Sequence, residues 1–454
     1  MDLIVLGAGP AGLMAAWDAA RSGHRVVVVD RADRPGGMAA SFDVAGVRVD
    51  HGSHRLHPSI DPAIRADLAI LLGDELQVRP RRGRLHLAGR WVGFPLGPAD
   101  LTRLPRRLAG GILRDGLVPR RRARRDTFAD VVRARLGPTI ARELYDPNVR
   151  KLWGVPPSEL TGELADRRVS AGGVGALVRR ALGRRQGRTF LYPRRGFGQI
   201  AERLAEAVVD ARGEVLLGRE VERLRLREDR VEVQLSDGPA VEAGRVWSTL
   251  PVALLPRLAE PAPPPQVLTA LDGLEHRALA LVYLVVERPR YTAFDAHYFP
   301  SPAVPLSRLS EPKNYRDGPD PPDRTVLCAE VPCTVGDDRW TAGDEDLGAE
   351  VAEALERVGL PPVAATDVVV RRLSRVYPVY RPGFERSLGE VEAWVRQWPR
   401  LLTLGRQGLF VGDNTHHVLA MGRAAAACLR PDGSFDDDGW QAARESFRSN
   451  VVED

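Results

Sequence analysis

Gly7, Gly9 and Gly12, with Pro10 and Ala11 between them, are spaced to bring backbone N–H groups close to a phosphate. Each glycine has a separate task. Gly7 permits a tight turn, Gly9 lets the backbone approach a pyrophosphate, and Gly12 lets a helix pack closely on a strand. Asp30 would accept hydrogen bonds from a ribose hydroxyl, with Arg31 beside it. The elements needed to position these groups are all legible. Leu3–Leu6 is an apolar strand, Leu13–Arg21 reads as a helix, and Arg25–Val29 is a second buried strand that ends at the acid. The helix N-terminus adds N–H groups and positive dipole to the phosphate site. A glycine turn in an ordinary βαβ unit is the alternative; the flanking strand and acid favour a dinucleotide.

The chain has 454 residues, enough for two or three domains, and is 44% apolar and 28% charged, as expected of a folded globular protein. Its formal charge of +5 comes almost wholly from arginine, since Lys151 and Lys313 are the only lysines. No aromatic-and-basic recognition module accompanies that charge, so nucleic acid is not an expected partner. Cys328, Cys333 and Cys428 suit a reducing compartment better than a disulfide framework, and no metal motif surrounds them. The first apolar run is the dinucleotide strand and lacks a basic flank, so it does not read as a signal peptide. The longest apolar run, Ala278 to Val286, is too short to span a bilayer. A cytoplasmic protein is expected.

A glycine pair, Gly36-Gly37, follows the ribose-binding acid, and Met38 and Ser41 come after it. Here the sequence resembles the FAD-binding group that includes amine oxidases, protoporphyrinogen oxidase, phytoene desaturases and UDP-galactopyranose mutase. The resemblance implies FAD as cofactor. It places Gly36, Gly37, Met38 and Ser41 on the dinucleotide, although Met38 stands near where the group has a basic residue. Asp50-His51-Gly52-Ser53-His54 resembles the group's turn beside the flavin, which puts Gly52, Ser53 and His54 at the ring. His54 could equally satisfy turn backbone. The spacing of His51, His54 and His57 is no metal motif, because a glycine interrupts any helix there.

Lys151-Leu152-Trp153-Gly154, followed by Pro157–Leu160, narrows the likeness to UDP-galactopyranose mutases, in which Trp153 would line the substrate cleft. A core anchor at a helix end is the plainer reading of that tryptophan. The same resemblance implies that Arg308, Tyr377 and Arg406 act at the substrate and that Tyr192, Tyr380 and His416 lie near it. It places the backbone of Val221 at the adenine. A strand ending in Gly412-Asp413 would lead into a helix from Val418 to Leu429. Asp413 would hold a ribityl hydroxyl or a water, and Val418 and Met421 would sit at the flavin's pyrimidine end. No general base is evident; His54, His416 and His417 are candidates by position alone.

The expected fold is α/β: a Rossmann-type FAD-binding domain built from residues 1–75, 190–255 and 399–454, with an inserted α+β substrate domain from 76–189 and 256–398. Arginines between Pro105 and Arg125 surround apolar residues. They could mark a helix lying on an anionic membrane, but three glycines weaken that helix and favour an ordinary solvated one. The group's general chemistry implies an FAD-dependent oxidoreductase acting on a small molecule, and the arginine-rich domain admits an anionic or lipid-linked one. Two alternatives remain. One is a redox-neutral sugar mutase, in which the tyrosines that mutases offer to the diphosphate stand as Phe410 and Asp413. The other is a flavin-binding subunit without catalysis.

Overall fold

The computed structural model describes residues 1–94, 100, 102–117, 125–169 and 189–452. The strands Leu3–Leu6 and Val26–Val29 are short, wholly apolar and fully buried, as strands of a parallel sheet covered on both faces must be. Their sheet has five parallel strands in the order Leu401–Thr403, Arg245–Ser248, Leu3–Leu6, Val26–Val29, Glu214–Leu216. Its neighbours are far apart in sequence, so three stretches of chain must meet to complete it. The helix Pro10–Arg21 lies on one face, packed on the helices Gln199–Asp210 and Thr415–Ala427.

A four-stranded sheet, Val241–Ala243, Val231–Leu235, Val221–Leu226 and Ala259–Glu260, covers the other side. It contains the meander expected from the alternation in 230–235. The third large sheet has seven strands in the order Ala365–Pro378, His276–Val286, Thr325–Cys333, Arg308–Ser310, Ala296–Tyr298, Gly83–Leu87, Arg90–Phe94. The run Ala278–Val286 is buried throughout because it sits between two long antiparallel neighbours. Alternate residues of that strand serve two cores. Ala278, Ala280, Val282 and Leu284 join the core on which the helix Asp344–Arg357 packs, while Leu279, Leu281 and Tyr283 pack on Phe42, Val47 and Val49 of the hairpin Ser41–Asp50.

Two expectations are corrected here. Residues 409–413 form no strand. The strand is Leu401–Thr403, and Gly405 and Phe410 then take positive φ (78° and 54°), so the chain coils before the helix that ends at Ala427. That helix begins at Thr415 rather than Val418. The arginine-rich helix Arg106–Leu117 packs Leu108, with Ala109 and Ile112, on Leu85, Leu87 and Val92, so much of its apolar face is already covered. Residues 118–124 of that stretch lie outside the described residues. Among the described residues, no helix is long and apolar enough to cross a membrane.

Candidate functional site

The glycine turn works by contact distance. A Cβ on Gly12 would stand 2.1 Å from the Gly7 carbonyl oxygen, and one on Gly7 would stand 2.0 Å from Thr249 Oγ1. Gly7 also has φ of 106° and donates its N–H to Val29. Gly9 is the opposite case, because nothing lies within 4 Å of where its Cβ would be. Gly36 donates to the Ala8 carbonyl, which draws the second glycine pair onto the first, and Gly37 faces the Gly9 Cα. The two glycine turns therefore bound a slot free of side chains. It opens at the N-terminus of Pro10–Arg21, where Gly9 is the cap residue, no side chain caps the helix and Ala11 and Gly12 begin it behind Pro10.

Asp30 accepts the N–H groups of Ala8 (2.7 Å) and Ala32 (2.9 Å), which fixes its carboxylate at the end of the second strand with lone pairs to spare. Gly218 and Arg219 donate to the carbonyls of Ala32 and Asp30, so Val221 starts its strand beside the acid. Arg31 is exposed and lies 3.9 Å from Glu220.

The turn Asp50–His54 is held from beneath. Asp50 accepts from Ser41 Oγ (2.6 Å), the Phe197 N–H (2.9 Å) and the Tyr192 hydroxyl, and its carbonyl accepts from Tyr283 (2.6 Å). Gly52 has φ of 94°, and the Ser53 hydroxyl bonds Tyr315. His51 Nδ1 reaches the Gly37 carbonyl and His54 Nε2 the His51 carbonyl, while His57 Nδ1 bonds Ser59; the three rings thus serve different partners. His54 also stacks on Phe197, and burial lowers its pKa, so the ring is neutral at neutral pH.

Several assigned roles change. Ser41 is fully buried and spends its hydroxyl on Asp50 and the Gly198 N–H, so it supports the turn rather than a ligand. Tyr192 is a core residue bonded to Asp50, not a wall of the substrate cleft. Tyr380 donates to the Phe410 carbonyl (2.8 Å) and stacks on Phe384, also in the core. The Asp413 carboxylate is held by Arg167 (3.4 Å) and Asn450 (2.6 Å) and presents no bare charge to the cleft; Phe410 packs beside Tyr380. Val418 donates to Asn414 and Met421 is a turn deeper, so neither offers a free N–H. Gly422 serves packing, since a Cβ there would stand 2.4 Å from the Ala11 carbonyl oxygen. His416 is buried at this helix start beside His57 and His417.

The residues assigned to a substrate cleft gather where the seven-stranded sheet meets Gly412. Tyr377, at the end of its strand, packs 6.1 Å from Trp153, whose indole N–H is committed to the Pro378 carbonyl. Arg406 gives one nitrogen to the carbonyls of Gly412 and Asp413 and another to that of Val376, and so pins the 409–414 coil to the sheet. Arg308 pairs with Glu330 through two bonds (2.9 and 3.0 Å), and Glu330 also accepts the Ser53 N–H (2.8 Å). Arg168 sits over both Trp153 (5.3 Å) and Tyr377 (5.6 Å). Glu330 and Arg168 were absent from the sequence reading, because neither lies in a motif; a buried glutamate inside an apolar strand was the one available signal. Burial pushes the Tyr377 phenol up, with Glu330 adding to it and the three arginines opposing.

A bare slot at an uncapped helix start, an anchored acid beside it, and a glycine-serine turn braced against a second sheet fit FAD. The chain belongs to the flavin-containing amine oxidoreductase family, whose model matches residues 10–429, and FAD is its cofactor. AofH of Mycobacterium tuberculosis, assigned as a flavin-containing monoamine oxidase, is 32% identical over 272 residues, 56% of this chain and 57% of that protein. Putrescine oxidase of Kocuria rosea is 35% identical over 26% of this chain and 25% of its own length. This chain thus matches little more than half the length of AofH. Among solved structures, reduced UDP-galactopyranose mutase superposes with a TM-score of 0.83 at 19% identity, covering 100% of this chain and 99% of the mutase. Cyclohexylamine oxidase from Brevibacterium oxydans IH-35A gives 0.67 at 20% identity over 94% and 98%. At such identity these likenesses speak for the fold.

Proposed function

We propose that the protein is an FAD-dependent oxidoreductase acting on a small molecule. Bound FAD supplies a two-electron acceptor that takes hydride at N5 from a substrate C–H of an amine, alcohol or carbon–carbon centre. One observation supports this chemistry over acid–base or nucleophilic catalysis by the chain. Three acid–base candidates described around the cleft are already committed: Glu330 to Arg308 and Ser53, Asp413 to Arg167 and Asn450, His54 to the His51 carbonyl. What remains for the protein is to orient the substrate against Tyr377 and Trp153, exclude water and hold the Gly52–Ser53 backbone fixed. The positive end of Thr415–Ala427 favours negative charge nearby, as a reduced flavin carries.

The test is anaerobic titration of oxidised holoprotein with fractionated metabolites. A fraction that bleaches the flavin and yields an oxidised product supports the reading. A redox-neutral mutase is favoured by one finding, the convergence of Arg308, Arg406 and Tyr377 on the same cleft. Conversion of UDP-galactopyranose to its furanose form by dithionite-reduced protein, with the flavin still reduced after turnover, would replace the first reading by the second.

A further inference from the structure

The charge balance of the cleft points to the substrate. Three guanidinium groups and one carboxylate act on the Tyr377 phenol: Arg168, Arg308 and Arg406 against Glu330. Glu330 is consumed by Arg308. Arg406 donates to three backbone carbonyls, which carry no net charge, and its Nε is buried without an acceptor. Arg168 has no hydrogen-bond acceptor and no carboxylate partner among the described residues. Its Nη2 lies 3.1 Å from the point where a Gly412 Cβ would stand, so the guanidinium reaches the loop in front of the Trp153–Tyr377 wall. Two positive charges therefore stand in a half-buried site with no carboxylate bonded to either among the described residues, the nearby Asp413 being held by Arg167 and Asn450, an arrangement that an incoming anion stabilises.

The aromatic faces support the same conclusion. Tyr and Trp rings attract a substrate ammonium only when their faces are open. Here the Tyr377 ring already has Arg168 at 5.6 Å and Arg406 at 5.9 Å, and Trp153 has Arg168 at 5.3 Å. An ammonium entering this cleft meets two like charges in place of a free π-face. Putrescine oxidase and cyclohexylamine oxidase are named for amines that are cations at neutral pH. This cleft carries charge of the same sign as such substrates.

We propose that the cleft takes an anionic substrate, a carboxylate or a phosphoester, bound through Arg168, and excludes simple cationic amines. The proposal depends on the oxidoreductase reading only in taking this cleft as the substrate's place.

The experiment is a binding titration, without turnover, of oxidised holoprotein with benzoate, phenyl phosphate and benzylamine, followed by perturbation of the flavin spectrum. The expected result is saturable binding of at least one anion, weakened by salt, and none of benzylamine at equal concentration. Whichever anion binds more tightly separates carboxylate from phosphoester. Arg168→Gln should weaken that anion roughly ten- to a hundredfold, and Arg168→Lys less, because a charge-assisted bond is lost in one and only its fork geometry in the other. Benzylamine binding more tightly than both anions, no binding of either anion, or unchanged affinity in Arg168→Gln overturns the proposal. Should the variant lose its flavin, the order of the three ligands on the wild-type protein still decides. A flavin that binds anions but is bleached by no metabolite would sink the oxidoreductase reading alone.

Discussion

In the cradle, contact falls to backbone and empty space: Gly9 and Gly37 leave a slot, a helix start faces it, and Asp30 is anchored by two N–H groups. In the cleft, contact falls to long side chains carried by separate elements, with Arg168 from one helix, Arg308 and Glu330 from two strands, and Arg406 from a short turn. The first arrangement is specified within a few dozen residues of chain. The second exists only after the sheets have closed on one another. A backbone site tolerates little change in residue size and much change in charge around it, and a side-chain site shows the reverse.

The largest effect should come from filling the cradle. Gly12→Val places carbon against the Gly7 carbonyl and drives the helix off its strand, at a stability cost of about 1–3 kcal/mol or more, with no flavin retained on gel filtration. Gly9→Ala meets nothing within 4 Å, so the apoprotein should melt as the wild type does while flavin affinity falls. Equal melting losses in both variants would show that the slot is structural and not a ligand's place.

Next comes the ion pair. Glu330→Ala leaves Arg308 partly buried without its carboxylate and removes the acceptor of the Ser53 N–H; the expected loss is about 3 kcal/mol by urea denaturation. Replacing both partners, Arg308→Met with Glu330→Leu, should restore part of that stability while leaving the Ser53 N–H unmet. A double variant as unstable as the single one would mean that the pair's worth lies in the Ser53 contact.

How far each region was legible follows from the same contrast. The first strand, glycine turn, helix and acid needed only local periodicity and residue size, and the meander of 221–235 followed from alternation. The last strand was misplaced because Leu409–Val411 is as apolar as Leu401–Thr403, and apolarity does not reveal the positive φ at Phe410. Tyr192, Tyr380 and Ser41 have the right chemistry for a site, but their hydroxyls meet Asp50 or Phe410, partners that sequence distance hides. Arg168 and Glu330 went unseen for the converse reason. Nothing in their neighbours marks a charge that tertiary structure leaves over or buries.

Lys151 offers a smaller and pH-dependent test of how the substrate side is assembled. Its ammonium donates to the Phe299 and Leu306 carbonyls, and burial pushes its pKa down to about 7. A lysine whose pKa falls on folding binds fewer protons in the native state than in the unfolded one. Between about pH 7 and its ordinary value of 10.5, stability from this group therefore rises with pH. Wild-type melting temperature should climb from pH 6 toward pH 9 more steeply than that of Lys151→Met. Parallel slopes would place the ammonium's charge in solvent.

The smallest effect should separate Tyr380 from Tyr377, two tyrosines of one strand end that share a chemistry and differ in surroundings. The Tyr380 hydroxyl is buried and donates to Phe410, so Tyr380→Phe removes one internal bond worth about 1 kcal/mol. Anion affinity and the flavin spectrum should not move, because the ring stays stacked on Phe384 and the cleft keeps its charges. Tyr377 sits under Arg168 and Arg406, so Tyr377→Leu should lower anion affinity by removing the ring that orients both guanidinium groups, with little change in melting temperature since Tyr377 is only half-buried. If instead Tyr380→Phe shifted ligand affinity and Tyr377→Leu did not, the wall of the cleft would lie on the Phe410 side, and the counter-ion argument built on Arg168 would lose its geometry.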